Sequence, residues 1–163
     1  MTKLILNQYS QEYDIYLETG THMGVGVRLA RSAGFGRVIT IEKDERFYQQ
    51  VSDRYFANDN VVCLLGDSAE ILPLVLGDCT KRNVLIFLDA HPNQDAPWSV
   101  CNTPIMAELD AIRTFLPRKW VLFVDDFELY DKRSQKEIRG KCEELGTVYP
   151  FYVKTAMLKV SPK

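Results

Sequence analysis

Five apolar runs in this chain each stop at a carboxylate. They are Ile15-Tyr16-Leu17-Glu18, Val38-Ile39-Thr40-Ile41-Glu42, Val61-Val62-Cys63-Leu64-Leu65-Gly66-Asp67, Leu85-Ile86-Phe87-Leu88-Asp89 and Val121-Leu122-Phe123-Val124-Asp125. Short runs rich in Val, Ile, Leu and Phe mark strands buried on both faces of a parallel sheet. Longer amphipathic segments separate them. The order is therefore βαβα: a doubly wound, Rossmann-like α/β sheet, mostly parallel, with helices on both faces. Such sheets bind ligands at the carboxyl ends of their strands. The acids would then gather along one edge, where they repel one another unless hydroxyls, amines or metal ions compensate.

Between the runs, helices are expected from about Gly24 to Ser32 and from Asp44 to Phe56. Another starts at Asp67 and Ser68, with Pro73 expected to split off a second turn. Thr103 suits an N-cap and Pro104 the first helical position, ahead of an apolar stripe of Ile105, Leu109, Ile112 and Leu116. A charged helix from Asp131 to Leu145 ends at Gly146, in the manner of a glycine C-cap. Thr147 to Val160 reads as an antiparallel hairpin turning at Lys154-Thr155. The polar stretch from Pro92 to Asn102, with Pro97 and Trp98 in it, is long enough to be a lid.

The 163 residues suit a single domain, 1–163, and a formal net charge of -2 offers no basic field for nucleic acid or an anionic membrane. The first residues turn polar too soon for a signal peptide, and no apolar run is long enough to span a bilayer. The four cysteines contain no CxxC pair, which argues against zinc clusters and thioredoxin-like redox motifs. A cytoplasmic protein is expected.

The turn Glu18-Thr19-Gly20-Thr21-His22-Met23-Gly24-Val25-Gly26 fails the dinucleotide pattern G-x-G-x-x-G. Counted from Gly24, Leu29 fills the third glycine position; counted from Gly20, His22 fills the second. An acid followed by spaced glycines suits a cationic amino-acid moiety better than a pyrophosphate. Glu42 stands about 20 residues past this turn, where an acid binds ribose hydroxyls of nicotinamide and adenosyl cofactors alike. The competing reading is a solvated Glu18 with glycines that only make a tight turn.

These motifs resemble those of class I S-adenosylmethionine-dependent methyltransferases, over nearly the whole chain. Glu18-x-Gly20-x-x-x-Gly24 is similar to the motif that cradles the methionine part of the cofactor. The resemblance thus assigns Glu18, Gly20, Thr21 and Gly24 to that part, Glu42 to the ribose, and Asp67 and Ser68 to the adenine. Together with Gly66-Asp67-Ser68-Ala69-Glu70-Ile71-Leu72-Pro73, Leu88-Asp89-Ala90-His91 and Val124-Asp125-Asp126, the chain resembles a small-molecule O-methyltransferase group akin to the macrocin and catechol enzymes.

In metal-dependent members the edge formed by strands four and five holds a divalent ion. The resemblance implies Asp89, Asp125 and Asp126 as its ligands, and oxygen donors of this kind suit magnesium. The catechol-type enzymes have an amide where Asp126 stands, so the acceptor class does not carry over. In the alternative, Asp125 and Asp126 cap a loop and Asp89 meets the cofactor amine. His91 is a candidate general base on the acceptor hydroxyl, with Asp89 beside it, or else a structural histidine. The expected partner is a small-molecule acceptor. The few residues before strand one suggest a shallow pocket, or one completed by another copy in a homo-oligomer. Two further readings stay open: a non-catalytic S-adenosylmethionine-binding or assembly subunit, and a nicotinamide-dependent oxidoreductase.

Overall fold

The computed structural model describes residues 3–91, 96–152 and 156–163. In chain order the elements are α1 (Lys3–Tyr9), β1 (Ile15–Thr19), α2 (Val25–Ala33), β2 (Arg37–Glu42), α3 (Glu45–Tyr55), β3 (Val61–Leu65) and α4 (Ser68–Cys79). They continue with β4 (Asn83–Leu88), α5 (Ile105–Thr114), β5 (Lys119–Val124), α6 (Lys132–Leu145), β6 (Thr147–Tyr152) and β7 (Ala156–Ser161). One sheet of seven strands runs in the order β3-β2-β1-β4-β5-β7-β6. β1 to β5 pair in parallel, and β7 inserts antiparallel between β5 and β6.

The two-residue period of the strands sorts the core into two layers. Ile15, Leu17, Val84, Ile86, Leu88, Leu122 and Val124 face one layer, with Leu72 and Leu76 of α4, Leu109 and Ile112 of α5 and Ile138 of α6. Tyr16, Val38, Leu85, Phe87, Val121 and Phe123 face the other, with Leu6 of α1, Val27 of α2 and Val51 of α3. Each fully buried aliphatic or aromatic side chain contributes about 1.5–3 kcal/mol, so the central strands carry the fold. α1 is not announced by the sequence pattern, although Leu6 is fully buried.

Acids do begin the helices that follow β2 and β3. The Asp44 carboxylate accepts the Arg46 N–H and the Asp67 carboxylate accepts the Ala69 N–H, which satisfies open amides of the first turn. Three expectations change. Pro73 lies inside a continuous α4, where the missing N–H costs one bond in the second turn. α5 starts at Ile105, and the Thr103 hydroxyl donates to Ser99 O instead of capping the helix. α5 stops at Thr114, so Leu116 falls off the stripe and is 40% exposed. Gly146 caps α6 as expected, in extended backbone; a Cβ there would sit 2.1 Å from Ser161 O, so its smallness serves the approach of β7. The hairpin turn at 153–155 lies outside the described residues.

Candidate active site

A cavity of about 470 Å3 opens over the carboxyl ends of β1, β2 and β4, bounded by Gly20, Glu42, Gly66, Asp67, Ser68 and Asp89. Position along the strand explains how the acids divide: Glu42 ends β2, and Asp89 and Asp125 lie past the ends of β4 and β5. Glu18 is the penultimate residue of β1 and shares its face with Tyr16, so it points into the core layer under α2. It is 3% exposed; the Tyr16 hydroxyl donates to Oε2 and the Thr40 hydroxyl to Oε1, both at 2.9 Å. Burial pushes its pKa up to about 8, against the pull of those two hydrogen bonds. A Cβ on Gly26 would lie 1.8 Å from Glu18 Oε2, so this glycine makes room for the buried carboxyl. Glu18 is therefore not among the residues that bound the cavity. Thr21 is also buried and bonds Thr40, and Gly24 backs onto Val51 of α3. Neither bounds the cavity.

Gly20 does. Its φ is +79°, and a Cβ would meet Asp89 O at 2.3 Å. Only glycine lets the turn after β1 lie against the turn after β4. On the other side, Glu42 accepts the His22 N–H at Oε2 and the Asp44 N–H at Oε1, both at 2.8 Å. A carboxylate has about four lone-pair sites, so acceptor capacity remains for hydroxyls. Phe47 packs edge-on against His22 at 4.4 Å beside it. Asp67 takes a 2.6 Å hydrogen bond from Lys43 Nζ, which holds its pKa below the usual carboxylate range.

The acids after β4 and β5 converge in part. His91 Nε2 lies 3.2 Å from Asp89 Oδ1 and 3.4 Å from Asp126 Oδ2. One ligand atom from each of Asp89, His91 and Asp126 falls within 4.8 Å of the others, a set that can hold a metal ion. Asp125 lies outside that group, and its Oδ1 accepts the Asp126 N–H. Burial raises the Asp89 pKa; His91 opposes this, while Asp125 and Asp126 add to it.

Trp98 stacks on the His91 ring at 4.2 Å and meets Tyr130 edge-on at 5.7 Å. It is 4% exposed and its backbone is tied to Leu129 and Asp131 at 2.8 Å each. The described part of the expected lid is thus pinned against the segment after β5, and 92–95 lie outside the described residues. Sequence reasoning missed Glu108, a 1% exposed carboxyl on α5 whose pKa burial lifts to about 7. Its position was legible, because Glu108 falls on the same helical face as Ile105, Leu109 and Ile112.

The strand order, the parallel core and the antiparallel end pair decide the architecture. The fold is that of the class I methyltransferases. No family model and no curated protein matches the chain. Solved structures do. An O-methyltransferase from Bacillus cereus in complex with SAH superposes with a TM-score of 0.67 at 16% identity, over 99% of this chain and 78% of that one. A proposed caffeoyl-CoA O-methyltransferase from Staphylococcus aureus gives 0.68 at 15%, over 99% and 84%. Human methyltransferase-like protein 13 in complex with SAH gives 0.71 at 13%, over 99% and 79%. Among the described residues, no helix is long and apolar enough to cross a membrane.

Proposed function

We propose that this chain is an S-adenosylmethionine-dependent methyltransferase acting on a hydroxyl of a small molecule. The observation that carries the reading is that Asp89 and His91 line the same cavity as Glu42 and Asp67, with Asp126 beside His91. A bifunctional site needs both sets: one to hold the cofactor, one to hold and deprotonate the acceptor. S-Adenosylmethionine, when bound, supplies an already activated methyl group, so the residues have two tasks, alignment and proton removal.

Glu42 accepts ribose hydroxyls with its remaining lone pairs, and Asp67 and Ser68 take the adenine edge. Gly20 admits the methionine chain beside Asp89, whose carboxylate meets the ammonium group. His91 Nε2, unprotonated before the reaction, takes the acceptor proton; Asp89 and Asp126, which face that same nitrogen, then accept its N–H and stabilise the positive charge. Trp98 fixes the ring plane by stacking. Two carboxylates and an imidazole also fit a divalent cation, which when bound lowers the pKa of a ligated hydroxyl. Oxygen donors alone would favour magnesium, and His91 widens the set to imidazole-accepting ions. One Nε2 cannot hold a cation and the acceptor proton at once. Methyl transfer to a panel of small hydroxyl compounds, with chelator or with added magnesium, separates the two versions. Calorimetry that finds no S-adenosylmethionine binding by folded protein sinks the proposal. Cofactor binding without transfer to any acceptor favours the non-catalytic reading, and tighter binding of a nicotinamide cofactor favours the oxidoreductase.

A further inference from the structure

Glu18 does not bound the cavity, yet it ends a buried chain of hydrogen bonds that reaches the cavity's glycine turn. The Tyr16 hydroxyl donates to its Oε2 and the Thr40 hydroxyl to its Oε1, both at 2.9 Å. A hydroxyl has one proton, so Thr40, which donates to Glu18, accepts from the Thr21 hydroxyl. Thr21 lies between Gly20 and His22, the two turn residues that bound the cavity. β2 holds those two as well: Ile41 O accepts the Gly20 N–H at 2.9 Å, and Glu42 Oε2 accepts the His22 N–H at 2.8 Å. Three consecutive residues of β2, Thr40 to Glu42, thus hold three consecutive residues of the turn, Gly20 to His22, and the Thr40–Thr21 link lies in the core and rests on Glu18. His22 has a φ of +45°, which a non-glycine residue keeps where its surroundings enforce it. Valines at positions 21 and 40 would fill nearly the same space without burying two hydroxyls and a carboxyl.

We propose that Glu18, Thr40 and Thr21 form a latch beneath the cofactor site, in which Glu18 is a positioning residue that acts through the two threonines to keep His22 left-handed and its N–H on Glu42. This rests on the S-adenosylmethionine reading given above, in which Glu42 takes the ribose hydroxyls. An unlatched turn frees the His22 N–H, and Glu42 then keeps only the Asp44 N–H of the two that aim its carboxylate. Burial holds a proton on Glu18 up to about pH 8. A proton on Oε2 reverses the Tyr16 bond and leaves Oε1 to accept from Thr40, so the chain persists in the neutral form. Glutamine keeps that pattern, with its NH2 toward Tyr16. Valine at position 40 removes both of the threonine's bonds, and serine restores them.

The test compares wild type, Thr40→Val, Thr40→Ser and Glu18→Gln by calorimetric titration with S-adenosylhomocysteine and by amide hydrogen exchange of the unliganded proteins. Thr40→Val is expected to bind about tenfold more weakly. Its His22 amide is expected to exchange about tenfold faster, while the amides of β4 keep the wild-type rate. Thr40→Ser and Glu18→Gln are expected to stay within about threefold of wild type in both measurements. If Thr40→Val does not fold, Thr21→Val breaks the same link, leaves the Thr40–Glu18 bond in place and carries the same expectations. A valine variant with wild-type His22 exchange overturns the proposal. So does one in which β4 loses protection along with the turn, since that is an ordinary structural role, and so does a serine or glutamine variant as impaired as valine. Wild type that binds no S-adenosylhomocysteine refutes the cofactor reading, whereas faster His22 exchange with unchanged binding refutes only the role of the latch in holding the cofactor.

Discussion

Replacing Glu18 with Gln should stabilise the protein in alkaline solution and leave it little changed in acid. Burial pushes the Glu18 carboxyl up to about 8 in the folded protein, from an ordinary glutamate value of 4.5. Between those values the folded protein keeps a proton that the unfolded chain releases. Stability therefore falls as pH rises through this window, is fully present below about 4.5, and levels off above about 8. Carrying that linkage from pH 5 to pH 8.5 costs the wild type about 4 kcal/mol from this one residue. Glu108, pushed up to about 7 by burial, adds a loss of about 2–3 kcal/mol in the same direction. Glutamine is neutral throughout and keeps a carbonyl to accept from Tyr16 or Thr40, so the variant should lose only the Glu108 share. Urea unfolding of both proteins at pH 5, 6.5 and 8.5 measures this as the difference in slope. Parallel pH profiles would refute the argument, because they would mean that Glu18 is ionised in the native state. A glutamine variant less stable than wild type at pH 8.5 would refute it equally.

Gly20→Ala should cost about 2–3 kcal/mol or more through a positive φ and a Cβ clash with Asp89 O; thermal melting reads the loss, and cofactor titration should show weakened binding. Trp98→Ala should cost about 3–5 kcal/mol as a buried aromatic truncation, and steady-state methyl transfer should fall further than stability predicts because His91 loses its stacking partner. Lys43→Ala should change stability by less than about 1 kcal/mol, as an exposed ion pair, while an NMR titration of Asp67 should show its pKa rising toward the ordinary range.

The strands were legible because each is a short apolar run bounded by turn residues, and β1, β2, β4 and β5 end within one residue of the acids read as their tips. The same runs concealed which acid faces the cavity. Glu18 and Asp89 look alike as run-ending acids, but β1 continues one residue further, to Thr19, so Glu18 lies within the paired strand while Asp89 lies past the end of β4. A one-residue difference in strand length is below what run-reading resolves. Asp125 and Asp126 were legible as a pair, but the left-handed backbone of Asp126 that separates their carboxylates is not written in residue types. Glu108 carried a signal in its helical spacing that was outweighed by the expectation that glutamates face water.

The insertion of β7 between β5 and β6 also orders the acquisition of structure in time. β6 and β7 pair over six registers and are close in sequence, whereas β7 meets β5 over only three, across a gap that contains all of α6. Closing a local hairpin costs less chain entropy than closing the longer loop. Among the described residues, β6 has no hydrogen-bonded neighbour in the sheet other than β7. The last two strands should therefore assemble with each other first and add to the sheet as a unit, and their amides should exchange with solvent together, as one cooperative block that opens before the parallel strands do.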